Sequence, residues 1–517
     1  MKLTELYKNK IMGAISGLDR IRFRGTLRLL ANQNGLRKFM SFTNVLLKDF
    51  GNWAESLTAM VRQSCRSKAE ELGIETRYLR SSSIDKEKLA RQIASEKGIT
   101  EGSICMFSAV EPCISPMVRG NKAQKKLELV MVHRKCIFVY HYFNDPVFGF
   151  GHVRIQGWLP FNIFICLNGR HWLEKQLLKD GIRYTKDGNC FPWIEDITAA
   201  QALLYKQLET NWSQTLMKLS LDSCPALAEV TMPLRPEYYW SADDTEWSTD
   251  IMFKSGKLLD ELYPSLLHHA MCVSNSPTVM RYYGRRDNRG LAPGEIISDY
   301  RRRYEGIRVK HFKNRNSIKM YNKSGSILRV ETTITNTREF KVFRHPDDNE
   351  NRPASWQKMR KGVSDLYRRC EVSDKCNERY ADELAAAQVD EKLKEVVSPA
   401  CNRIKKNGRT YRGLNPWQEQ DYKLLIFLAD GENTIGGFRN KDLRKFLYHE
   451  AENLEKQEQK KYCGRTTRLI KLLRVHGLIK KVAKENRYML TARGQKFAVS
   501  LLTASAVDIK GLTEIAA

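Results

Sequence analysis

Carboxylates at the ends of predicted strands are the first groups in this sequence that could do chemistry. Asp19 lies in the stretch GLDRIRF, Glu111 lies in AVEPC, and Asp196 follows Glu195 where a helix is predicted to begin. Carboxylates that converge can bind two divalent cations, which activate water and stabilise the leaving oxygen in phosphodiester cleavage. A purely structural interpretation stays open, in which Asp19 pairs with a nearby arginine and Glu111 caps a turn before Pro112.

The same carboxylates resemble part of a known type of nuclease site. RNase-H-like nucleases and transposases cut phosphodiesters with acidic residues at strand ends, although their D-x-[GST] opening is absent here. The resemblance implies a Mg2+-dependent enzyme with Asp19, Glu111 and Asp196 as catalytic residues. Without such an enzyme, no cofactor and no metal are expected. A second acidic run at 241–247, with Asp250 after it, is predicted to be a solvated loop or a helix start.

A cationic stretch near the end of the chain, GRTTRLIKLLRVHGLIKK at 464–481, has the spacing of an amphipathic helix. Leu469, Leu472 and Leu473 recur on one side, which predicts an inward-facing apolar stripe. Gly477 follows the last periodic residue, and glycine commonly ends a helix. The stretch therefore predicts a helix with one buried side and one cationic side.

The cations of this region are concentrated on the helix and on the two strands predicted after it. Between 461 and 487 there are nine Lys or Arg and one acidic residue, Glu485. Arginines at a helix surface can reach base edges, and lysines suit phosphates. The predicted contacts with nucleic acid are Arg465, Thr466, Arg468, Lys471, Arg474, Lys480, Lys481, Lys484 and Arg487.

The order of predicted elements over 416–502 is helix, helix, helix, two strands and helix. The tail RLIKLLRVHGLIKKVAKENRYMLTARGQKF resembles the recognition helix and wing of many bacterial winged-helix domains. That resemblance implies that the third helix enters a major groove and that the wing touches the flanking backbone. A winged helix used for protein contact is the alternative.

A second basic stretch, 306–344, predicts three or four antiparallel strands with turns at KNRN and NKSG. From 301 to 344 there are thirteen Lys or Arg and three Glu. The pattern KMYNK…LRVE resembles strands of plasmid and phage replication initiators, in which a tyrosine attacks a DNA phosphate. Those enzymes need a pair of metal-binding histidines, whereas VKHF supplies only His311. A sheet that binds nucleic acid without cleaving it is therefore the preferred interpretation. Its predicted contacts are Arg308, Lys310, Lys319, Tyr321 and Arg329.

Aromatic residues and histidines recur along the strands predicted between 138 and 172. Alternation makes half of them core, and the outward half could stack on unpaired bases beside Arg134, Lys135, Arg154 and Arg170. Twelve cysteines are scattered without a C-x2-C pair, which predicts reduced thiols in a cytosolic protein and no structural zinc. No phosphate-binding loop and no serine or cysteine nucleophile motif occurs.

Net charge narrows the class of partner. The 517 residues include 87 Lys or Arg against 59 Asp or Glu, a formal net charge of +28. The excess positive charges repel one another, and a polyanion is the usual partner whose binding relieves this repulsion. The sequence has no apolar run of about 18 residues and no signal-peptide pattern, so we expect no membrane association and a cytoplasmic location. The oligomeric state is left open.

The predicted helices and strands that carry these residues indicate an α+β, multidomain protein. An N-terminal mixed sheet with helices is expected, then a central basic antiparallel meander, a helical segment and a C-terminal winged helix. Residues 1–60 are predicted to be mostly helical apart from a short strand at 20–27. The predicted divisions are 1–200, 201–350, 351–401, a polar linker at 402–415, and 416–517.

The whole chain also resembles an uncharacterised bacterial family through the phrases DRIRFRGTLR, HVRIQGWLPF, LNGRHWL and SIKMYNKSGSILRVETT. That resemblance implies a mobile-element or RNA-associated role and transfers no active-site residue. We therefore expect a nucleic-acid-binding protein, for DNA or structured RNA, of a mobile element or ribonucleoprotein. The alternative is a metal-dependent nuclease or transposase with an RNase-H-like site.

Overall fold

The computed structural model divides into two compact units. The sheet unit comprises Ala14–Asp250 and Glu331–Asp374, and the carboxy-terminal unit comprises Met1–Gly13, Ile251–Val330 and Lys375–Ala517. Each unit therefore combines segments that are distant along the chain. The structure describes residues 2–232, 234, 236–270, 276–284, 296–303, 306–346, 352–385, 393–430, 433, 437–449, 456–482 and 485–506, so the predicted contact Lys484 lies outside the described residues.

A large mixed sheet forms the body of the sheet unit. Its strands lie in the order β2-β3-β4-β5-β6-β1-β9, with β2 parallel to β3 and the strands from β3 to β1 antiparallel to their neighbours. Strands β3 and β4 pair along their whole length around a turn at 122–125. The strands of this unit are β1 (Ile11–Thr26), β2 (Glu75–Leu79), β3 (Gly102–Asn121), β4 (Lys126–Asp145), β5 (Gly149–Gln156), β6 (Ile163–Asn168), β7 (Tyr184–Asp187), β8 (Cys190–Ile194) and β9 (Tyr239–Phe253), with β14 (Lys341–Arg344) and β15 (Ser355–Lys358) as a separate pair.

Two predictions about this sheet are wrong. Residues 11–19, expected to be helical, form one sixteen-residue strand together with the predicted strand at 20–27, which is confirmed as far as Thr26, and the buried positions of this strand largely alternate. The acidic run 241–247, expected to be a solvated loop, lies inside β9. Acidic residues are depleted in strands, but here Arg20 Nη2 lies 2.5 Å from Glu246 Oε1 and Arg22 Nε lies 3.9 Å from Asp244 Oδ2. Cross-strand arginines of β1 therefore stabilise the carboxylates of β9.

Helices pack on this sheet through apolar stripes at helical spacing. On α3, Ala54, Val61, Cys65 and Ala69 are buried and recur every four or seven residues. The described helices that belong wholly to this unit are α2 (Gln33–Phe42), α3 (Phe50–Glu71), α4 (Lys86–Glu96), α5 (Gly169–Lys179), α6 (Ile197–Lys206) and α7 (Trp212–Ser223).

An antiparallel meander occupies the first part of the carboxy-terminal unit. Its strands follow in the order β10 (Ile297–Arg303), β11 (Gly306–Lys313), β12 (Asn316–Lys323) and β13 (Ile327–Ile334). The two predicted turns are confirmed: 314–315 joins β11 to β12 and 324–326 joins β12 to β13, and residues 314, 315, 324 and 325 have the positive φ common in tight hairpin turns. Residues 331–334 of β13 belong to the sheet unit.

The rest of the carboxy-terminal unit is mainly helical. From 419 onward the described elements follow the predicted order of three helices, two strands and a helix. A core of leucines and phenylalanines joins them, including Leu424, Phe438, Leu443, Leu473 and Phe497. The elements are α1 (Leu3–Leu6), α8 (Gly256–His268), α9 (Ser276–Tyr282), α10 (Leu366–Ala385, shared with the sheet unit), α11 (Leu393–Cys401), β16 (Ile404–Lys406), β17 (Arg409–Tyr411), α12 (Glu419–Ala429), α13 (Asn440–Leu447), α14 (Lys456–Val475), β18 (Ile479–Lys481), β19 (Tyr488–Leu490) and α15 (Ala492–Ala506).

The α+β prediction is therefore confirmed, with fifteen helices and a large mixed sheet among the described residues. Across the part of the chain that the structure describes, none of these helices combines the length and the apolar character needed to span a bilayer.

Candidate nucleic-acid interface and acidic cluster

Helix α14 presents one apolar side to the core and one cationic side to solvent. Leu469, Ile470, Leu472 and Leu473 are buried, whereas the cations at every third position from 465 to 474 are exposed. Residues three apart are neighbours on a helix surface, so these cations form one continuous oblique stripe across the exposed half of the helix. The exposed cations of the stripe are Arg465, Arg468, Lys471 and Arg474.

Gly477 fixes the end of α14 as the sequence predicts. Its φ of +72° is left-handed, the Gly477 amide donates to Arg474 O, and the Leu478 amide donates to Leu473 O. This pair of hydrogen bonds is the Schellman arrangement, which glycine permits at no steric cost. Leu478 is then buried in the core, so the chain turns directly from the helix into β18.

The contacts of the stripe leave its charge open to solvent. The Arg465 guanidinium lies 5.4 Å from the Tyr462 ring centroid, and Lys471 Nζ lies 5.7 Å from that of Tyr411. Among the described residues, no acidic side chain pairs with any of the four cations. Thr466 does not belong to the stripe, because it is buried and its hydroxyl donates to Tyr462 O at 2.9 Å. The expectation that Thr466 contacts nucleic acid is therefore wrong.

The two strands after α14 form the short pair that the sequence analysis predicts as a wing. β18 and β19 pair antiparallel, and Phe438 forms an isolated bridge to β19 by exchanging two backbone hydrogen bonds of 2.8 Å with Tyr488. Lys480 and Lys481 are exposed on this wing. Arg487 is only partly available, because its Nε lies 3.3 Å from Glu485 Oε2.

The central meander does not offer the cationic face expected of it. Arg329 is completely buried and Tyr321 is 8% exposed, so neither can contact a nucleic acid and both expectations are wrong. Arg308 Nη2 lies 3.4 Å from Asp299 Oδ1, which offsets its charge. Lys310 and Lys319 face each other across the β11–β12 register and are half-buried.

His311 in this meander is a buried neutral group. Its Nδ1 lies 2.7 Å from Ser298 Oγ and its Nε2 lies 3.3 Å from the Tyr380 hydroxyl. Burial lowers the pKa of His311 from 6.5 to about 4, against the opposing charge of Asp299. The imidazole is therefore uncharged near neutral pH and serves the packing of α10 on the meander.

Arginine side chains of the sheet unit lie over aromatic rings on its strands. The Arg154 guanidinium lies 3.9 Å from the Phe138 ring centroid and 4.8 Å from that of Phe164. Arg91 lies 3.8 Å from the Phe150 centroid. None of the aromatic residues between 138 and 172 is exposed, so this sheet face has no rings free to stack on bases.

Three carboxylates of the sheet unit come together. Asp19 on β1, Glu246 on β9 and Glu331 on β13 each offer one oxygen, and these oxygens lie within 4.8 Å of one another. Asp19 is 2% exposed and Glu331 1%. Such a set of hard oxygen donors matches the ligand preference of Mg2+ and Mn2+.

The turn from β6 into α5 orients Asp19. Asn168 is the N-cap of α5, and its Oδ1 accepts hydrogen bonds from the amides of Arg170 and His171. Its Nδ2 donates to Asp19 Oδ1 at 3.0 Å, and Asn189 Nδ2 donates to the same carboxylate at 2.7–2.8 Å. A Cβ on Gly169 would lie 2.1 Å from Leu18 O, so glycine is needed for this close approach.

The other two predicted catalytic carboxylates have structural partners instead. Glu111 accepts hydrogen bonds of 2.6 Å from the Tyr140 hydroxyl and from Arg154, and Lys86 Nζ lies 3.1 Å away. Burial acts to raise the pKa of Glu111, but these contacts outweigh it and hold the pKa below its usual range. Asp196 Oδ1 accepts the Ala199 amide at 2.9 Å as the N-cap of α6. The expectation that Glu111 and Asp196 join Asp19 is therefore wrong.

Sequence reasoning missed Glu246 and Glu331, and it missed the structure of 402–415. The acidic run around Glu246 suggested solvent exposure, and Glu331 is not among the residues that the sequence singled out in the stretch 306–344. The segment 402–415 was predicted to be a linker, but it contains β16 and β17. An Asn-Gly pair at 407–408 between two short β-capable runs was the available signal for a hairpin.

Comparisons of the chain with protein-family models, with curated proteins and with solved structures found no match.

Proposed function

We propose that this protein binds nucleic acid through α14 and the β18–β19 wing. One observation carries the proposal: six exposed cations share one small domain and have no acidic partner among the described residues. These cations are Arg465, Arg468, Lys471, Arg474, Lys480 and Lys481. Like charges held together repel one another, and a phosphate chain is the partner that turns this repulsion into attraction.

Affinity in this proposal comes mainly from phosphate neutralisation. Each cation that meets a phosphate releases condensed counterions, which makes binding steeply dependent on salt. An α-helix with its side chains is about 10–12 Å across, which fits the width of about 12 Å of a B-form major groove, and the twenty residues of α14 give it a length of about 30 Å along the groove. Its arginines can then contact the phosphates beside the groove and also reach base edges, while the wing lysines contact the adjacent backbone.

Salt titration of the full-length protein tests this proposal. Fluorescence anisotropy would measure the Kd for a labelled 25-bp DNA duplex and for an RNA hairpin between about 50 and 200 mM KCl. The variant R465A/R468A/R474A is expected to reduce the slope of log K against log salt by about 0.9 for each lost phosphate contact. The control R37A/R66A/R80A removes three exposed arginines of the sheet unit.

An affinity that does not change with salt would overturn the proposal. Equal weakening by the two triple variants would also overturn it, since net charge alone would then explain the binding. Sequencing the nucleic acid that copurifies with the protein would identify the partner as DNA or RNA, and as one sequence or many.

A second candidate function is metal-dependent phosphodiester cleavage in the sheet unit. The observation that favours it is the convergence of Asp19, Glu246 and Glu331 within 4.8 Å. Two or three carboxylates are how proteins hold Mg2+ or Mn2+ against a scissile phosphate. Asn168 and Asn189 would keep the Asp19 carboxylate oriented, and Arg20 beside Glu246 could contact an adjacent phosphate.

Cleavage assays with conservative variants test this second candidate. Single-stranded and duplex DNA and RNA would be incubated with Mg2+ or Mn2+, and D19N and E331Q are expected to lose both cleavage and Mn2+ binding by calorimetry. D196N is the matched control, because asparagine still caps α6. Absence of cleavage on all substrates together with absence of Mn2+ binding would reject the candidate, and a loss of cleavage in D196N equal to that in D19N would do the same.

A further inference from the structure

A short basic hairpin precedes the domain that carries α14. β16 and β17 pair antiparallel with the register Ile404–Tyr411, Lys405–Thr410 and Lys406–Arg409. Asn407 and Gly408, with φ of +50° and +72°, form the two-residue loop. This positive-φ loop is the tight turn whose twist matches the paired strands. The segment is therefore a defined projection rather than a linker.

The base of the hairpin is fixed to the domain. Leu414 is buried in the core and its amide donates to Ala400 O at 3.0 Å. A Cβ at Gly413 would lie 1.8 Å from Cys401 O, so the chain passes α11 at a distance that only glycine allows. The Arg412 guanidinium donates to both oxygens of Asp421, at 2.6 and 2.8 Å.

The hairpin base also contacts α14 directly. His476, at the end of α14, is buried, and its Nε2 donates to Arg412 O at 2.8 Å. Lys471 of the cationic stripe lies 5.7 Å from the ring centroid of Tyr411, the last residue of β17. The hairpin and the stripe are therefore neighbours on one surface.

The rest of the hairpin is cationic and exposed. No acidic residue occurs from 396 to 418 in the sequence, while Arg403, Lys405, Lys406 and Arg409 are all exposed. None of these four pairs with an acidic side chain in the described part of the chain. Arg412, which does pair with Asp421, is the anchor and not part of this set.

The cross-strand pairing of the hairpin points to an anionic ligand. Lys406 and Arg409 are direct register partners, and like charges in that position destabilise a pair of strands. A three-residue ladder has few other contacts to offset the repulsion. A phosphate placed against both side chains would convert the repulsion into two favourable contacts.

We propose that this basic hairpin, residues 403–411, is a second phosphate-binding arm that grips the same nucleic acid as α14. This inference rests on the proposed nucleic-acid binding and deepens it. Because the arm lies beside α14 rather than within the groove-facing stripe, the ligand is a duplex that extends past the recognition helix. Lys406 and Arg409 contact its backbone without reading bases.

Salt dependence separates the hairpin from α14. In the full-length protein, K406A/R409A is expected to reduce the slope of log K against log salt by about 1.8, since each phosphate contact contributes about 0.9. The matched control is K122A/K126A, which removes the same charge from the exposed end of the β3–β4 hairpin in the sheet unit. The control is expected to keep the wild-type slope.

Lys406→Glu distinguishes loss of contact from loss of fold. It places opposite charges at the 406–409 pair, so the hairpin should be at least as stable as in the wild type, by thermal unfolding. Binding should nevertheless weaken, with a reduced salt slope. A Lys406→Glu protein that binds like the wild type would overturn the proposal.

The outcomes also distinguish this inference from the proposed function. If R465A/R468A/R474A weakens binding but K406A/R409A behaves as K122A/K126A does, the second arm is rejected and the nucleic-acid function stands. If the wild-type protein binds no duplex at all, both are rejected.

Discussion

The meander β10–β13 and the helix α14 are both rich in arginine and lysine, but they use these residues differently. The meander encloses Arg329 completely and pairs Arg308 with Asp299, so its cations mainly support the fold. Helix α14 leaves Arg465, Arg468 and Arg474 exposed. The difference teaches that a local count of cations does not locate a binding surface. The decisive property is whether the neighbouring elements cover the face that carries them.

Arg329→Ala should have the largest effect on stability. A guanidinium with no exposed surface has its partners within the fold, and its removal leaves those groups buried without it. We expect the free energy of unfolding to fall by about 3–5 kcal/mol, measured by urea unfolding followed by circular dichroism. A loss below about 1 kcal/mol would contradict the contrast between the two regions, because exposed arginines give losses of that size.

His311→Asn tests the acid sensitivity that burial confers on the meander. The folded pKa of about 4 lies below the ordinary value of 6.5, so between these values the unfolded chain binds a proton that folded His311 does not. Stability is therefore lost as the pH falls from about 6.5 to about 4, by up to about 3 kcal/mol. The variant should show a flatter stability profile over this window, and an unchanged profile would refute the buried neutral imidazole.

Gly477→Ala should have an intermediate effect, confined to the end of α14. Alanine in the left-handed region costs about 1–2 kcal/mol, so thermal unfolding should shift downward. Gly464 provides the matched control within the same helix, because its φ is helical and open space surrounds it. Gly464→Ala should raise stability by about 0.5–1 kcal/mol. The same sign for both changes would contradict the placement of the helix end.

Arg468→Ala should have the smallest effect on stability and a clear effect on binding. An exposed arginine without an acidic partner among the described residues should change the free energy of unfolding by less than about 0.5 kcal/mol. The salt slope of DNA binding should nevertheless fall by about 0.9. A large stability loss with unchanged binding would reverse the comparison and assign α14 a structural role.

The C-terminal elements were predictable because their periodicity is local. Leucines at helical spacing and Gly477 give α14, and the β18–β19 wing follows within a few residues. The sequence signal for the hairpin at 404–411, an Asn-Gly pair, was equally local. The segment was nevertheless predicted to be a linker because of its polar composition. Exposure was less predictable: Thr466 and Arg329 are both buried, although their positions in the basic stretches suggested exposed contacts.

The acidic cluster could not be predicted from any one segment. Asp19, Glu246 and Glu331 are separated by more than eighty residues each and meet only through the order of strands. Glu111 had the same local appearance as Asp19, a carboxylate on an apolar strand. Glu111 is instead held by Tyr140 on the adjacent strand β4 and by Arg154 on the next strand, β5, and a one-dimensional pattern does not reveal these contacts.

The side chain of Asn168 limits which residues evolution can accept at that position. Ser, Thr and Asp also begin helices well, and an aspartate would retain the acceptor for the α5 amides. An aspartate would, however, place a second negative charge about where the amide nitrogen of Asn168 now lies, 3.0 Å from Asp19 Oδ1. The side chains of serine and threonine are shorter and would not extend as far towards Asp19. The residues found at position 168 in natural relatives would thus indicate whether Asp19 is under selection. Aspartate at this position is expected only in relatives in which the Asp19 carboxylate is no longer required.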